Sequence, residues 1–204
     1  VVALRLEASD TSELVSQVLY GDCFKVLEQR KSWSRIRLAF DKYEGWVDNK
    51  QFKLIEESDY NTLQKETPLL TTDLVDFITD HNQQLHPILI GSCMNGLHYL
   101  KHQFEGAKAE GSLNKFNIVN TALLYLNTPY LWGGKTPFGI DCSGFTQMVY
   151  KLNGFNILRD ASQQASQGEV LSFIEESSPG DLAFFDNNEG EITHVGIIME
   201  DHRI

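Results

Sequence analysis

Cys142 stands in the stretch GIDCSGF, residues 139–145, where a glycine-containing loop gives way to helical spacing. Phe145, Met148, Val149 and Leu152 fall at i, i+3, i+4 and i+7, so a buried amphipathic helix is expected from about Ser143, closed by Gly154. A sulfur at the start of that helix lies beside free N–H groups and the partial positive charge of the helix end. Such a position lowers a cysteine pKa from about 8.5 into the range of roughly 3.5–7.5, which makes the thiol a nucleophile at neutral pH. A nucleophile of this kind needs a base. His194, inside the strand-like run THVGIIM, is a candidate because a strand can aim an imidazole across a groove. On spacing alone it is one of six histidines.

The remaining reactive residue types carry less. Cys23 and Cys93 lie far from each other and from Cys142, an odd set that fits neither a disulfide framework nor a zinc knuckle, and both are expected as small buried residues. At least one thiol must be free. His98 and His102 have the i, i+4 spacing of helical metal ligands, but their surroundings read as strand and no carboxylate accompanies them. A packing or surface role is expected for that pair.

Around these residues the chain divides by texture. Residues 1–55 hold short β-rich segments, SELVSQVLY, CFKVLEQ, WSRIRLAF and EGWVDN, separated by polar and glycine breaks, the spacing of a small barrel. Residues 56–112 read as a second small β unit, with HPILIGSCM and LHYLKHQFEGAK as strand candidates. From residue 113 the pattern turns helical. NKFNIVNTALLYLN places Phe116, Val119, Leu123 and Leu126 on one face with Asn114 as a cap. After the SPGD turn, LAFFD and THVGIIM form two strands joined by a polar, glycine-containing link. Helices followed by antiparallel strands make 113–204 an α+β domain.

Composition bounds the partners. The chain has 204 residues and a net charge of −11, which argues against a protein that tracks nucleic-acid phosphates with clustered Lys and Arg. No apolar run reaches the roughly 18 residues of a membrane span. Val1-Val2-Ala3 carries neither a start Met nor a leader-like pattern, so any export signal is expected to have been removed or never to have existed.

TPYLWGGKTPFGIDCSGFTQMVY, SPGDLAFF and THVGIIM follow the order and spacing of the NlpC/P60 cysteine peptidases, which residues 113–204 resemble. Residues 1–55 resemble a bacterial SH3-like domain. The resemblance implies a primitive papain-like α+β catalytic domain preceded by small SH3-like barrels. It assigns Cys142 as the nucleophile, His194 as the base and Tyr130 as a partner of the cysteine N–H in holding the oxyanion. It needs no metal or organic cofactor. A third polar residue, which orients the histidine, is expected about a dozen positions further on, past Ile204; His202 is too close to His194 for that role. The domain is therefore expected to be incomplete as given.

An SH3-like module ahead of such a domain looks most like the γ-D-glutamyl-L-diamino acid endopeptidases of peptidoglycan turnover. These cleave after D-glutamate in L-Ala-γ-D-Glu-diaminopimelate and prefer a free L-Ala amine. The resemblance then implies Asp160 as the amine recognition group, with Ser143 and Trp132 at the same end of the groove. It draws Glu7 and Tyr43 from the barrel as its wall. Asp160 would equally cap the helix ASQQASQG, Trp132 could serve packing, and Arg159 is expected to pair with nearby residues. The rival expectations are a catalytically silent wall-binding protein and an amidase or acyltransferase of the same superfamily. The bacterial envelope or periplasm is the expected compartment, and the cytoplasm is compatible with recycling.

Overall fold

The computed structural model describes residues 1–204. Five strands, β1 (Val2–Arg5), β2 (Leu14–Val18), β3 (Phe24–Gln29), β4 (Trp33–Leu38) and β5 (Glu44–Asp48), form one antiparallel sheet in the order β2-β1-β5-β4-β3. The two-residue period is visible in β4, where Ser34, Ile36 and Leu38 turn inward while Arg35 and Arg37 face water. Leu4, Val18, Ile36, Leu38 and Val47 make the barrel core.

A short helix, α1 (Glu57–Leu63), leads into a unit of two strand pairs: β6 (Leu69–Thr71) with β9 (Lys108–Glu110), and β7 (Val75–Thr79) with β8 (Leu85–Leu89). Ile78, Ile88 and Met94 form its core. The stretch LHYL differs from its expected strand. It forms one helical turn, α2 (Leu97–Leu100), closed by Lys101 in the left-handed region. His98 and His102 do not converge on a metal: His98 packs against Tyr99, and His102 Nδ1 bonds the Tyr20 hydroxyl at 2.8 Å. Cys23 and Cys93 are half-buried rather than buried, and all three thiols are free.

The third region holds α3 (Ile118–Leu123), a small hairpin of β10 (Lys135–Thr136) and β11 (Gly139–Ile140), then α4 (Cys142–Leu152), α5 (Ala161–Gln164), and the antiparallel pair β12 (Leu182–Asp186) and β13 (Ile192–Ile197). Asn114 caps the turn before α3 by accepting from Phe116 N–H at 3.0 Å. The face of α3 is not the expected one. Ile118 and Tyr125 are buried with Ala122 packed beside them, whereas Phe116, Leu123 and Leu126 are exposed. The segment carries two apolar stripes, and the one at 118, 122 and 125 meets α4.

One cluster joins all three regions. Ile118, Tyr125, Ile140, Met148, Val149 and Ile197 pack with Leu19, which follows β2, and Ile90, which follows β8. The barrel thus contributes a side chain to the core beneath the helix that starts at Cys142.

Candidate active site

Cys142 is the first residue of α4, and Asp141 is its N-cap. The Asp141 carboxylate accepts from Gly144 N–H at 2.6 Å and from Gly133 N–H at 2.8 Å, which fixes the helix start against the loop that precedes it. The N–H groups of Cys142 and Ser143 have no acceptor within the helix, as helix geometry requires of its first turn.

The loop 129–134 is zipped to the residues just ahead of Cys142. Leu131 N–H donates to Ile140 C=O and Ile140 N–H to Pro129 C=O, both at 3.1 Å, and Tyr130 bridges to Ile140 in parallel. Two glycines allow this closeness. Gly133 has φ +75°, and a Cβ there would collide with the Leu14 carbonyl of the barrel; a Cβ on Gly144 would collide with the Gly134 carbonyl. Tyr130 is carried beside the thiol. Partial burial raises its pKa, and the neighbouring Cys142 and Asp141 raise it further, so its hydroxyl remains a neutral donor.

His194 lies in β13 opposite Phe185, with ring centroids 5.7 Å apart. Its neighbours Val195 and Ile197 are buried, and α4 packs against this strand, while the imidazole itself is exposed. Cys142 and His194 therefore sit on packed neighbouring elements without a hydrogen bond between them. His202 turns elsewhere, with Nδ1 at 3.1 Å from the Ser177 hydroxyl.

Next to Cys142, at its N-cap, is a buried ion pair. Arg159 is 1% exposed; its Nη1 and Nη2 grip the two Asp141 oxygens at 3.0 and 2.7 Å, and its Nε donates to Ser16 of β2 at 3.0 Å. Nη1 also donates to the Ser143 hydroxyl at 2.9 Å. Ser143 is thereby turned into this network, buried under the groove. Arg159 pairs across 18 residues, so its partner was not a near neighbour in sequence.

Asp160 points the other way. It occupies the N-cap of α5, where Gln163 Oε1 accepts from its N–H at 3.1 Å, and its carboxylate accepts from the Tyr43 hydroxyl of the barrel at 3.1 Å. The N-cap position and the contact with the barrel thus meet in one residue. Burial raises the Asp160 pKa, opposed by the Tyr43 hydrogen bond and the Arg159 charge. Burial likewise raises that of Tyr43, with the Asp160 charge adding to it.

Trp132 is exposed, and its Nε1 donates to Glu13 Oε1 at 2.6 Å. The Glu7 carboxylate makes no hydrogen bond or ion pair; its N–H donates to the Ser12 hydroxyl at 2.9 Å and its C=O accepts from Ser9 N–H at 2.8 Å. The barrel acid that meets Trp132 is Glu13, at the other end of the turn. It immediately precedes β2, the strand that also supplies Ser16.

Residues 127–204 match the NlpC/P60 family, and residues 4–52 match the bacterial dipeptidyl-peptidase Sh3 domain. Dipeptidyl-peptidase 6 of Lysinibacillus sphaericus is 31% identical over 204 aligned residues, covering 85% of this chain and 74% of its own. The gamma-D-glutamyl-L-lysine dipeptidyl-peptidase of Bacillus subtilis (strain 168) is 45% identical over 85 residues, 41% of this chain and 28% of the relative. The crystal structure of an NlpC/P60 family protein from Bacillus cereus ATCC 10987 shares the fold, with a TM-score of 0.77 at 23% identity over 92% of this chain and 71% of that one.

Proposed function

The chain belongs to the NlpC/P60 family of cysteine peptidases, and we propose that it hydrolyses the γ-D-glutamyl bond to the diamino acid in peptidoglycan stem peptides whose L-Ala amine is free. The observation that carries this reading is the Tyr43–Asp160 hydrogen bond, which sets a half-buried carboxylate from one domain against a phenol from another. A carboxylate raised by burial gains from a cationic partner. The ammonium of L-Ala supplies one, and the Trp132–Glu13 pair adds a second acid and an aromatic surface on the barrel side.

In this reading the Cys142 thiolate attacks the γ-carbonyl carbon of D-glutamate. The tetrahedral oxyanion is held by the Cys142 N–H and the Tyr130 hydroxyl, donors worth about 3–4 kcal/mol each when aimed at developing charge. His194 gives a proton to the amine of the departing diamino acid as the C–N bond breaks, leaving a thioester. It then takes a proton from water, whose attack on the thioester releases L-Ala-D-Glu and restores the Cys142 thiolate beside a protonated His194. The diamino acid is diaminopimelate or lysine, the latter being the one in the Bacillus subtilis relative's name.

The test is mass spectrometry of products from L-Ala-γ-D-Glu-diaminopimelate, its lysine counterpart and the N-acetylated form of each. Cleavage of free-amine peptides only, abolished in Cys142→Ala with its melting temperature unchanged within about 2–4 °C, is the expected outcome. Equal cleavage of acetylated peptides would remove the amine pocket. No cleavage by folded protein would leave the wall-binding alternative.

A further inference from the structure

Where the barrel, the second β unit and the catalytic domain meet, a cavity of about 250 Å³ is lined by Asp22, Cys23, Cys93, Asn95, Lys135 and Lys151 among others. That is room for about eight waters at roughly 30 Å³ each. Lys151 is paired: its Nζ lies 2.9 Å from Asp22 Oδ1, and Asp22 Oδ2 accepts from Leu19 N–H at 2.9 Å. Lys135 differs. It is 2% exposed, its N–H donates to Gln17 Oε1 at 2.7 Å, and its ammonium has no hydrogen-bond or ion-pair partner.

The acids around it are committed elsewhere. Asp41 accepts from Tyr43 N–H at 3.0 Å and from Gln147 Nε2 at 2.9 Å, and the exposed Glu66 accepts from Asn95 Nδ2 at 2.9 Å. An ammonium without a protein partner is costly on so buried a residue, and burial lowers the Lys135 pKa to about 8 against the opposing pull of the Asp22 and Asp41 charges. Lys151 keeps two ammonium protons after its bond to Asp22. Donors from two lysines thus border one small space, whose carboxylates, Asp22 and Glu66, are already hydrogen-bonded to Lys151, Leu19 and Asn95.

We propose that this cavity binds a small oxyanion, a carboxylate or phosphate group, seated between the Lys135 and Lys151 ammonium groups. The site has no part in the peptidase chemistry. Its occupant would bridge all three regions of the chain, since Asp22 belongs to the barrel, Cys93 to the second unit and both lysines to the catalytic domain.

The experiment is a thermal-unfolding titration of the full chain with inorganic phosphate and with acetate, each replacing chloride at constant ionic strength. At about ten times the dissociation constant the midpoint is expected to rise by roughly 3 °C. Lys135→Met, which removes an unpaired buried charge, should show a higher midpoint without anion and lose the rise. A rise for phosphate alone assigns a phosphate site; a rise for acetate as well assigns a general carboxylate and phosphate site. An equal rise in the variant, or none in the wild type, overturns the proposal. If the variant does not fold, reductive methylation of the wild type decides: phosphate or acetate should slow labelling of Lys135 severalfold, and unchanged labelling overturns the site.

Discussion

Asp141 gathers the loop, the helix start and a guanidinium onto one buried carboxylate. Breaking such a pair by removing one partner leaves an uncompensated charge, which costs about 3–5 kcal/mol. Arg159→Met is expected to lose that much in urea unfolding, and Asp141→Asn combined with Arg159→Met to recover part of it. Additive losses would contradict the pairing. Asp160 makes a different prediction. Its pKa is raised in the folded protein, so the folded state holds the proton more tightly than the unfolded chain does. The ionised carboxylate is therefore a cost to stability above the folded pKa, relieved as pH falls toward the ordinary value of 3.8. Asp160→Asn should stabilise the protein near pH 7 while raising KM for the free-amine peptide roughly ten- to a hundredfold. In the wild type KM should rise as pH falls through a value above 3.8. A KM unchanged in Asp160→Asn would detach Asp160 from the amine. At this scale the helix start at Cys142 and the strand placement of His194 were legible because motif and element coincide. Glu13 was not, because the turn between β1 and β2 decides which of two acids meets Trp132, and turn direction leaves little trace in residue type.

Among the elements, the loop from Pro129 to Gly134 and the first turn of α4 act as one piece, joined by backbone hydrogen bonds and by the absence of side chains at Gly133 and Gly144. Gly133→Ala forces a left-handed φ on a residue with a Cβ and drives that Cβ toward Leu14 of β2. It should cost about 1–3 kcal/mol from the backbone conformation alone and lower kcat through displacement of Tyr130, read by thermal unfolding alongside peptide hydrolysis. Helix α4 was readable since its apolar positions fit a single face. Around α3 the reading failed for a physical reason: Phe116, Leu123 and Leu126 offer as good a stripe as Ile118, Ala122 and Tyr125, and only contact with α4 chooses between them. LHYL was missed for want of length, since a single turn shows no period.

In the whole molecule, the α+β architecture with a β-rich module ahead of it was legible from texture alone, but the sharing of one core was not. Leu19 and Ile90 are ordinary apolar residues at the ends of strands, and nothing in their local pattern says that they pack on Met148 and Val149. A core drawn from all three regions should melt once. Calorimetry is expected to give a single transition with equal calorimetric and van't Hoff enthalpies, and two resolved transitions would show that the regions are energetically separate. The dipeptide Arg159-Asp160 carries this union to the groove: its first side chain is held by Ser16 of β2 and its second by Tyr43, which leads into β5. Two neighbouring residues are thus moored to different strands of a module that would otherwise pass for an address label. Recombination that exchanged this barrel for another of the same shape would strip Arg159 and Asp160 of Ser16 and Tyr43, so module and peptidase have to be inherited together.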